Sequence, residues 1–334
     1  MNQILGLTCI SEILKEKDKA KYSFRTMTRK RFNDLCNQEG RDEAVNQLSE
    51  RILHNVIVTQ YIVNHCHSSN IGHLRISSSL FPLVSDETLE ISLQDLPNIE
   101  EIKQELRQVG IVGKTLGISM GSHPDMFNVL ASCNRDAVRR TIRELNLQAS
   151  VLDMIGLPQD HTAPMNIHVN YSPKDNETLE DVAERFYSNL MKCDSGVYNR
   201  LTIENEDKCF FNIDNCITFS EYLFNKYNHN LPVCADNLHH KCNPSEVSDF
   251  AWQAERCAYT WVNQGEGEHN FIAPVFHWSE GKPEKPRSHA DYIAFGNFPP
   301  HIAIEPDKPA IYEIEIKRKD YAIKLLQEQM AGAI

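Results

Sequence analysis

The segment Leu231-Pro-Val-Cys-Ala-Asp-Asn-Leu-His-His-Lys-Cys-Asn-Pro244 predicts a short buried strand followed at once by acidic and imidazole side chains. The apolar run leads to Asp236, and His239 and His240 follow within four residues. A carboxylate that is buried without a partner either costs several kcal/mol or takes up a proton. A metal ion or a fixed cation is the usual way to offset this cost. The segment therefore indicates a metal site at the end of a strand.

Short apolar segments that end in an acid or a histidine recur along the whole chain. The pattern predicts eight strands alternating with helices, at residues 4–9, 73–77, 116–120, 164–169, 200–204, 232–236, 271–278 and 309–316. Eight such units in 334 residues, with no obvious linker, favour one α/β domain over residues 1–334, a (β/α)8 TIM barrel. A doubly wound sheet has the same alternation, but the polar residues at the strand ends favour the barrel.

Six acids and histidines lie at or just past the C-terminal ends of the predicted strands. They are His123, His168, Glu204, Asp236, His277 and Glu315. In a TIM barrel these ends meet at one mouth, where the active sites of this fold lie. One histidine at a strand end is more often a hydrogen-bonded structural residue than a ligand, but the repetition over six strands favours a metal site. His239 and His289 complete the set of candidate ligands.

The chemistry of these side chains limits the function. Imidazole and carboxylate ligands without a thiolate suit Zn²⁺, Mn²⁺ or Fe²⁺, and this many ligands imply about two or three ions. Such clusters hydrolyse phosphate esters, and they also serve sugar isomerisation and, with iron, oxidation. All three reaction classes stay open at this point.

Charge and cysteine usage indicate the partners and the compartment. A net charge of −12 argues against broad, nonspecific nucleic-acid binding. Residues 15–31 carry a local charge of +6, however, and predict a basic loop after strand 1 in which Arg25, Arg29 and Lys30 meet DNA phosphates. No apolar run approaches the roughly 18 residues of a membrane span. Ten scattered cysteines and the absence of a signal-peptide pattern predict a cytoplasmic protein, and we expect a monomer.

Six segments occur in an order that resembles the UV damage endonuclease family, over about residues 4–320. The segments are Arg75-Ile-Ser-Ser-Ser-Leu-Phe-Pro-Leu-Val-Ser85, His123-Pro-Asp-Met-Phe127, Asn166-Ile-His168, Leu201-Thr-Ile-Glu-Asn205, Asp236-Asn-Leu-His-His-Lys-Cys-Asn-Pro244 and Glu315-Ile-Lys317. The Asp-x-x-His-His-x-x-Asn-Pro pattern is the most specific of them. The resemblance implies a TIM-barrel, metal-dependent DNA repair enzyme that acts on damaged double-stranded DNA. It would cut on the 5′ side of UV photoproducts and at some abasic sites.

The resemblance also implies roles for individual residues, and it favours Mn²⁺. It assigns a first ion to His123, His168 and Glu204, a second to Glu204, Asp236, His277 and Glu315, and a third to His239 and His289. We predict that Glu204 and Lys317 are catalytic, and that Arg75 and Lys317 contact phosphates.

The chain departs from the family pattern at several positions. Leu7 stands where a tyrosine is common, Ser79 where a histidine or aspartate is often found, and Val275 where a lysine that can be carboxylated is found. Met126 and Phe127 replace a glutamine and an aromatic residue that probe the lesion. These two side chains either wedge between bases or pack a loop. Val275 would weaken the third ion or change the preferred metal.

The main hypothesis is therefore a metal-dependent endodeoxyribonuclease. The alternative is a metal-dependent TIM-barrel isomerase, or an iron-dependent oxidative enzyme, that acts on a nucleotide or another small substrate. A DNA-binding relative without turnover is a third hypothesis, and the presence of all eight candidate ligands argues against it.

Overall fold

The computed structural model describes residues 3–125, 127–263, 270–302 and 309–332. These residues form twelve strands: β1 (Ile4–Thr8), β2 (His73–Ile76), β3 (Ser119–Ser122), β4 (Met165–His168), β5 (Leu201–Glu204), β6 (Val233–Cys234), β7 (Val262–Asn263), β8 (Asn270–Phe271), β9 (Val275–Trp278), β10 (Gly281–Lys282), β11 (Lys285–His289) and β12 (Ile311–Ile314). Eight of them make a parallel sheet in the order β6-β5-β4-β3-β2-β1-β12-β9. The pairs β7–β8 and β10–β11 are small antiparallel additions that the sequence did not predict.

The two outer strands of the parallel sheet meet and close it. A parallel bridge joins Asp236, just after β6, to His277 in β9. The backbone N–H of His277 donates a hydrogen bond to the carbonyl of Ala235 at 3.0 Å. A doubly wound sheet would leave these edges apart, so the predicted (β/α)8 barrel is confirmed.

Helices surround the barrel. Those in the described residues are α1 (Glu12–Lys17), α2 (Lys19–Tyr22), α3 (Arg29–Glu39), α4 (Arg41–Ser68), α5 (Ile99–Leu116), α6 (Arg135–Ile155), α7 (Leu179–Leu190), α8 (Ser195–Tyr198), α9 (Ile213–Tyr227), α10 (Asn237–Cys242), α11 (Phe250–Ala258) and α12 (Lys319–Met330). The longer ones bury one apolar face; in α5 this face consists of Ile102, Leu106 and Val109. Within the described ranges, no helix combines the length and the apolar character that a membrane span requires.

The predicted basic loop at residues 15–31 is largely helical, so this part of the prediction was wrong. The side chains of Ser11, Asp18 and Thr28 each accept a hydrogen bond from the backbone N–H three residues further on, and each caps a separate helix. The ammonium of Lys21 lies 4.7 Å from the ring centre of Tyr61 on α4. Local capping and this packing on α4 order a segment whose charge alone indicated a loop.

The barrel interior is polar near the mouth. Gly6 of β1 is in register with His73 on one side and with Glu313 on the other. A Cβ atom on Gly6 would lie 3.1 Å from the ring of His73, so the glycine leaves room for that ring. The Nε2–H of His73 donates a hydrogen bond to Glu313 at 3.1 Å, and Nδ1 of His73 lies 2.8 Å from the hydroxyl of Ser119. A hydrogen-bonded polar layer therefore underlies the mouth.

Candidate metal centre

Six barrel strands bring acids and histidines to the mouth. His168, Glu204 and His277 lie in β4, β5 and β9, and His123, Asp236 and Glu315 lie one or two residues past β3, β6 and β12. Asp236 also caps α10, because its Oδ1 accepts the backbone N–H of His239 at 2.6 Å. The turn after β6 thus places His239 beside the strand ends. These seven predicted ligands come together as the sequence indicated.

The carboxylate of Glu204 lies at the centre of the cluster and is fully buried. Its Oε2 lies 3.1 Å from Nε2 of His123 and 3.8 Å from Nε2 of His168. Its Oε1 lies 3.1 Å from Nδ1 of His239 and also 3.1 Å from Nδ1 of His277. Four imidazoles from four different elements therefore converge on one carboxylate.

The next residues inward hold this carboxylate in place. The side-chain amide of Asn166 donates to Oε2 of Glu204 at 2.6 Å, and the hydroxyl of Thr202 donates to the carbonyl oxygen of Asn166 at 3.0 Å. Burial raises the pKa of Glu204, but the positive charge of His277 and the hydrogen bond from His123 lower it by more, so that it lies well below its usual range. Glu204 is therefore anionic at neutral pH and is held in one orientation.

Asp236 and Glu315 extend the cluster on the side of His277. Nδ1 of His277 lies 3.8 Å from Oδ2 of Asp236 and 3.6 Å from Oε1 of Glu315. Burial raises the pKa of the Asp236 carboxyl. Burial also lowers the pKa of His168 to about 4, so its ring is neutral at pH 7 and keeps a nitrogen lone pair for a cation.

Ligand atoms in the described residues form four groups whose atoms lie within 4.8 Å of one another. The groups are His123, His168 and Glu204; Glu204, Asp236 and His239; Asp236, His277 and Glu315; and Glu204, Cys234 and His277. Oε1 of Glu204, Oδ2 of Asp236 and Nδ1 of His277 are buried without hydrogen-bond partners. Each such orphaned group costs roughly 1–3 kcal/mol unless it is bound. Nitrogen and carboxylate donors of this kind fit divalent cations.

The expected third ion requires His239 and His289 to lie together, but the structure places them in different surroundings. His239 lies with Glu204 and Asp236, whereas Nε2 of His289 lies 3.5 Å from Oε2 of Glu315. In the described part of the chain, His289 belongs to none of the four groups. Val275 is buried in β9, two residues before His277.

A model of the family described as UV-endonuclease UvdE matches residues 3–333. The chain belongs to the UV-endonuclease family. A relative named UV DNA damage endonuclease from Nostoc sp. (strain PCC 7120) is 31% identical over 333 residues, with coverage of 97% of this chain and 89% of the relative. A protein of the same name from Bacillus cereus (strain G9842) is 27% identical over 313 residues, with coverage of 92% and 89%.

A solved structure supports the fold of this UV-endonuclease family member. The crystal structure of SacUVDE matches with a TM-score of 0.76 at 24% identity, over 99% of this chain and 100% of that one. The likeness extends over the whole barrel.

Arg75, a predicted phosphate contact, pairs with two carboxylates inside the barrel. Its Nη1 contacts Glu315 and lies 3.0 Å from Oε2 of Glu313, and the side chain is only 11% exposed. Two carboxylates of the barrel therefore hold this guanidinium, and its contact with a DNA phosphate stays a prediction. Its role in the structure is to fix Glu313 and Glu315.

Sequence analysis missed Glu313 itself. Besides accepting from His73, it places Oε2 at 3.2 Å from Nε2 of His277, on the far side of that ring from Glu204. Burial raises the pKa of Glu313, but the charge of Arg75 and the contacts with His277 and His73 lower it by more. The pKa therefore lies well below its usual range. The signal available in the sequence was its spacing of two residues from Glu315, which places both on one side of a strand.

The residues predicted to meet DNA differ in their surroundings. Phe127 follows the His123 turn and is 79% exposed, whereas Met126 lies outside the described residues. Arg25 and Lys30 are exposed, and Nε of Arg29 lies 2.6 Å from Oδ2 of Asp86. Arg29 and Phe127 line one cleft of about 900 Å³, together with Asp86, Asn128 and Arg140.

Lys317 lies just past β12 and is exposed. The neighbouring Lys282, from the β10–β11 hairpin, lowers the pKa of its ammonium group. Two lysines thus lie together near the mouth, while the backbone N–H of Lys317 donates to the carbonyl of Ala290 at 3.1 Å. This position suits contact with a phosphate more than contact with the buried ligands.

Proposed function

We propose that this chain is a metal-dependent DNA repair endonuclease. It hydrolyses the phosphodiester bond on the 5′ side of UV photoproducts and at related lesions such as abasic sites. The observation that carries the proposal is the buried Glu204 carboxylate surrounded by four imidazoles at the barrel mouth. The family match and the name of the relatives support DNA damage as the substrate.

The cluster would hold about two or three divalent ions, with Mn²⁺ favoured by the family resemblance. His123, His168 and Glu204 would hold one ion, and Asp236, His277 and Glu315 another. Ions in such sites activate water and neutralise the charge that develops on phosphate oxygens. In this proposal Glu204 bridges the two ligand groups, because its two oxygens face different histidines.

The chain's own residues would orient the DNA strand. His289 and Lys317 lie beyond the buried ligands, where a phosphate enters the mouth. Lys317 and Lys282 would attract that phosphate, and Glu204 would help to hold the ions at the ligand cluster. Catalysis in this arrangement rests on fixed charges in a buried site, where they act more strongly than in water.

Phe127 would insert at the lesion. Its exposed ring lies four residues beyond the ligand His123, so it reaches DNA held at the mouth. Apolar side chains unstack base steps well, and damaged bases are cheaper to extrude than intact ones.

We expect Phe127→Ala to lower cleavage of a lesion-containing duplex by about 5- to 150-fold. Stacking of a base on an aromatic ring contributes roughly 1–3 kcal/mol, and the alanine variant loses it. Metal content should stay unchanged, because Phe127 contacts no ligand group. Phe224→Ala is the matched control, since Phe224 is also exposed but lies on α9. Equal activity of the two variants would show that Phe127 only packs against its loop and does not insert at the lesion.

The proposal is tested by nicking of a duplex that carries one cyclobutane dimer, beside undamaged and abasic duplexes. Each reaction is run with Mn²⁺, Mg²⁺ or Zn²⁺ and with EDTA. We expect a metal-dependent cut 5′ to the dimer and none in the undamaged duplex. Cutting at the abasic site alone would restrict the proposed substrate to that lesion. Binding of ions without cutting of any duplex would overturn the proposal in favour of an isomerase or an oxidative enzyme.

A further inference from the structure

Cys234 is the last residue of β6, and it faces the ligand cluster. It is in register with Glu204 of β5, and neighbouring residues in register point to the same side of a sheet. It also precedes Asp236 by two residues, which places both side chains on the interior face. Cys234 is 1% exposed, and its Sγ lies within 4.8 Å of ligand atoms of Glu204 and His277.

We propose that Cys234 supplies a thiolate ligand to a metal ion that Glu204 and His277 also hold. The inference rests on the metal centre of the proposed function and goes beyond its imidazole and carboxylate ligands. On binding, the S–H bond gives up its proton to solvent and the sulfur lone pair forms the bond to the ion, so charge and atoms balance. No oxidant or other reactant is needed.

Two observations separate this cysteine from one that merely fills the core. Oε1 of Glu204 and Nδ1 of His277 are buried without hydrogen-bond partners, and ligand atoms of both residues lie within 4.8 Å of the Cys234 sulfur. Among the cysteines in the described ranges, Cys234 alone falls in a three-ligand group. Cys66 on α4 is equally buried but belongs to no such group. A core-filling role is sufficient for Cys66, whereas the sulfur of Cys234 lies beside orphaned ligand atoms of the metal centre.

A thiolate in the cluster changes the expected metal preference. Soft sulfur ligands favour Zn²⁺, Co²⁺ and iron over Mn²⁺, whereas carboxylates and imidazoles discriminate less among them. The site that includes Cys234 should therefore bind zinc ahead of manganese when both ions are present. Replacement of the thiol should lower the affinity for zinc relative to manganese by about tenfold or more.

The test is the absorption spectrum of the full-length protein loaded with Co²⁺. Visible ligand-field bands report that cobalt is bound, and a near-ultraviolet charge-transfer band reports a thiolate ligand. We expect both bands in the unaltered protein. Cys234→Ser should lose the charge-transfer band and keep the visible bands, whereas Cys66→Ser should keep both. Cys234→Ala, which needs no hydrogen-bond partner, gives the same comparison if the serine variant does not fold.

The outcomes distinguish this inference from the proposed function. Visible bands without a charge-transfer band in the unaltered protein would overturn the thiolate ligand and leave the metal centre standing. A charge-transfer band that persists in both Cys234 variants would assign the thiolate to another cysteine and would equally overturn it. Absence of all cobalt bands would refute the metal centre itself.

Discussion

Glu204→Gln should lower kcat/KM for cleavage of a lesion-containing duplex by about 10³-fold or more. The substitution keeps the shape of the side chain and removes its negative charge. Charge stabilisation at a metal centre supplies several kcal/mol, and about 1.4 kcal/mol corresponds to a factor of ten in rate. Loss of one carboxylate that three of the four ligand groups share therefore has a large effect.

The surroundings of Glu204 make the amide a poor replacement. Oε2 accepts a hydrogen bond from the amide of Asn166, and a glutamine NH₂ group in that position would oppose one donor with another. If the glutamine turns the other way, the NH₂ group faces His239 and His277 instead. Either orientation removes an acceptor from the centre of the cluster, so bound metal should decrease together with activity.

Glu206→Gln is the matched control for this variant. Glu206 lies two residues further along, is 8% exposed, and belongs to no ligand group among the described residues. Burial raises its pKa to about 7, so near neutral pH it already carries a proton about half of the time. We expect activity within about fivefold of the unaltered protein. The measurements are bound metal by elemental analysis and nicking rates at saturating Mn²⁺. Retention of both in Glu204→Gln would contradict the central position of Glu204.

The convergence of the strand-end ligands was predictable because it follows from topology. Any parallel barrel brings its strand ends to one mouth, so the position of His168 or Glu204 at the end of an apolar run was sufficient evidence. The short turn from Asp236 to His239 was also visible in the sequence, because three residues lie on one turn of helix. The prediction of these residues required no knowledge of which strands are neighbours.

Residues inside the barrel were not predictable in this way, because their roles depend on strand order and register. Arg75 reaches Glu313 across β1, and that requires β1 to lie between β2 and β12. Gly6, which has no side chain, leaves the space for this layer. Cys234 becomes a candidate ligand only once β6 is paired with β5. A single cysteine in an apolar run has no sequence pattern that indicates a ligand, so the sequence alone indicates a core residue.

Glu313→Gln should weaken binding of the ion at His277 by about 10- to 100-fold. A ligating histidine is oriented and made more basic by a carboxylate at its other ring nitrogen, and loss of that partner has effects of this size. Here Nε2 of His277 lies 3.2 Å from Glu313, while Nδ1 faces Glu204 and Asp236. Glutamine can still accept a hydrogen bond from the ring N–H, but it does not stabilise positive charge on the ring.

The same variant should lower the free energy of unfolding of the EDTA-treated protein. Breaking a buried ion pair by removal of one partner costs about 3–5 kcal/mol. We expect about 3 kcal/mol, the lower end of that range, because Arg75 keeps its contact with Glu315. His73 also loses a charged acceptor. Urea unfolding of the two proteins without metal gives the difference directly.

Asp153→Asn is the control for loss of a carboxylate that pairs with a buried arginine away from the ligand groups. Asp153 also pairs with a buried arginine, Arg200, at 2.7 Å, but on α6 and away from the ligand groups. Arg200 keeps hydrogen bonds to the carbonyls of Leu157 and Pro158, so this substitution should cost about 1 kcal/mol or less. Titration with Mn²⁺ against a competing chelator should then show unchanged affinity in Asp153→Asn and the predicted loss in Glu313→Gln. If Glu313→Gln lost stability but bound Mn²⁺ as tightly as the unaltered protein, Glu313 would serve only to neutralise Arg75. The orientation of His277 would then come from its backbone bridge to the Asp236 strand end.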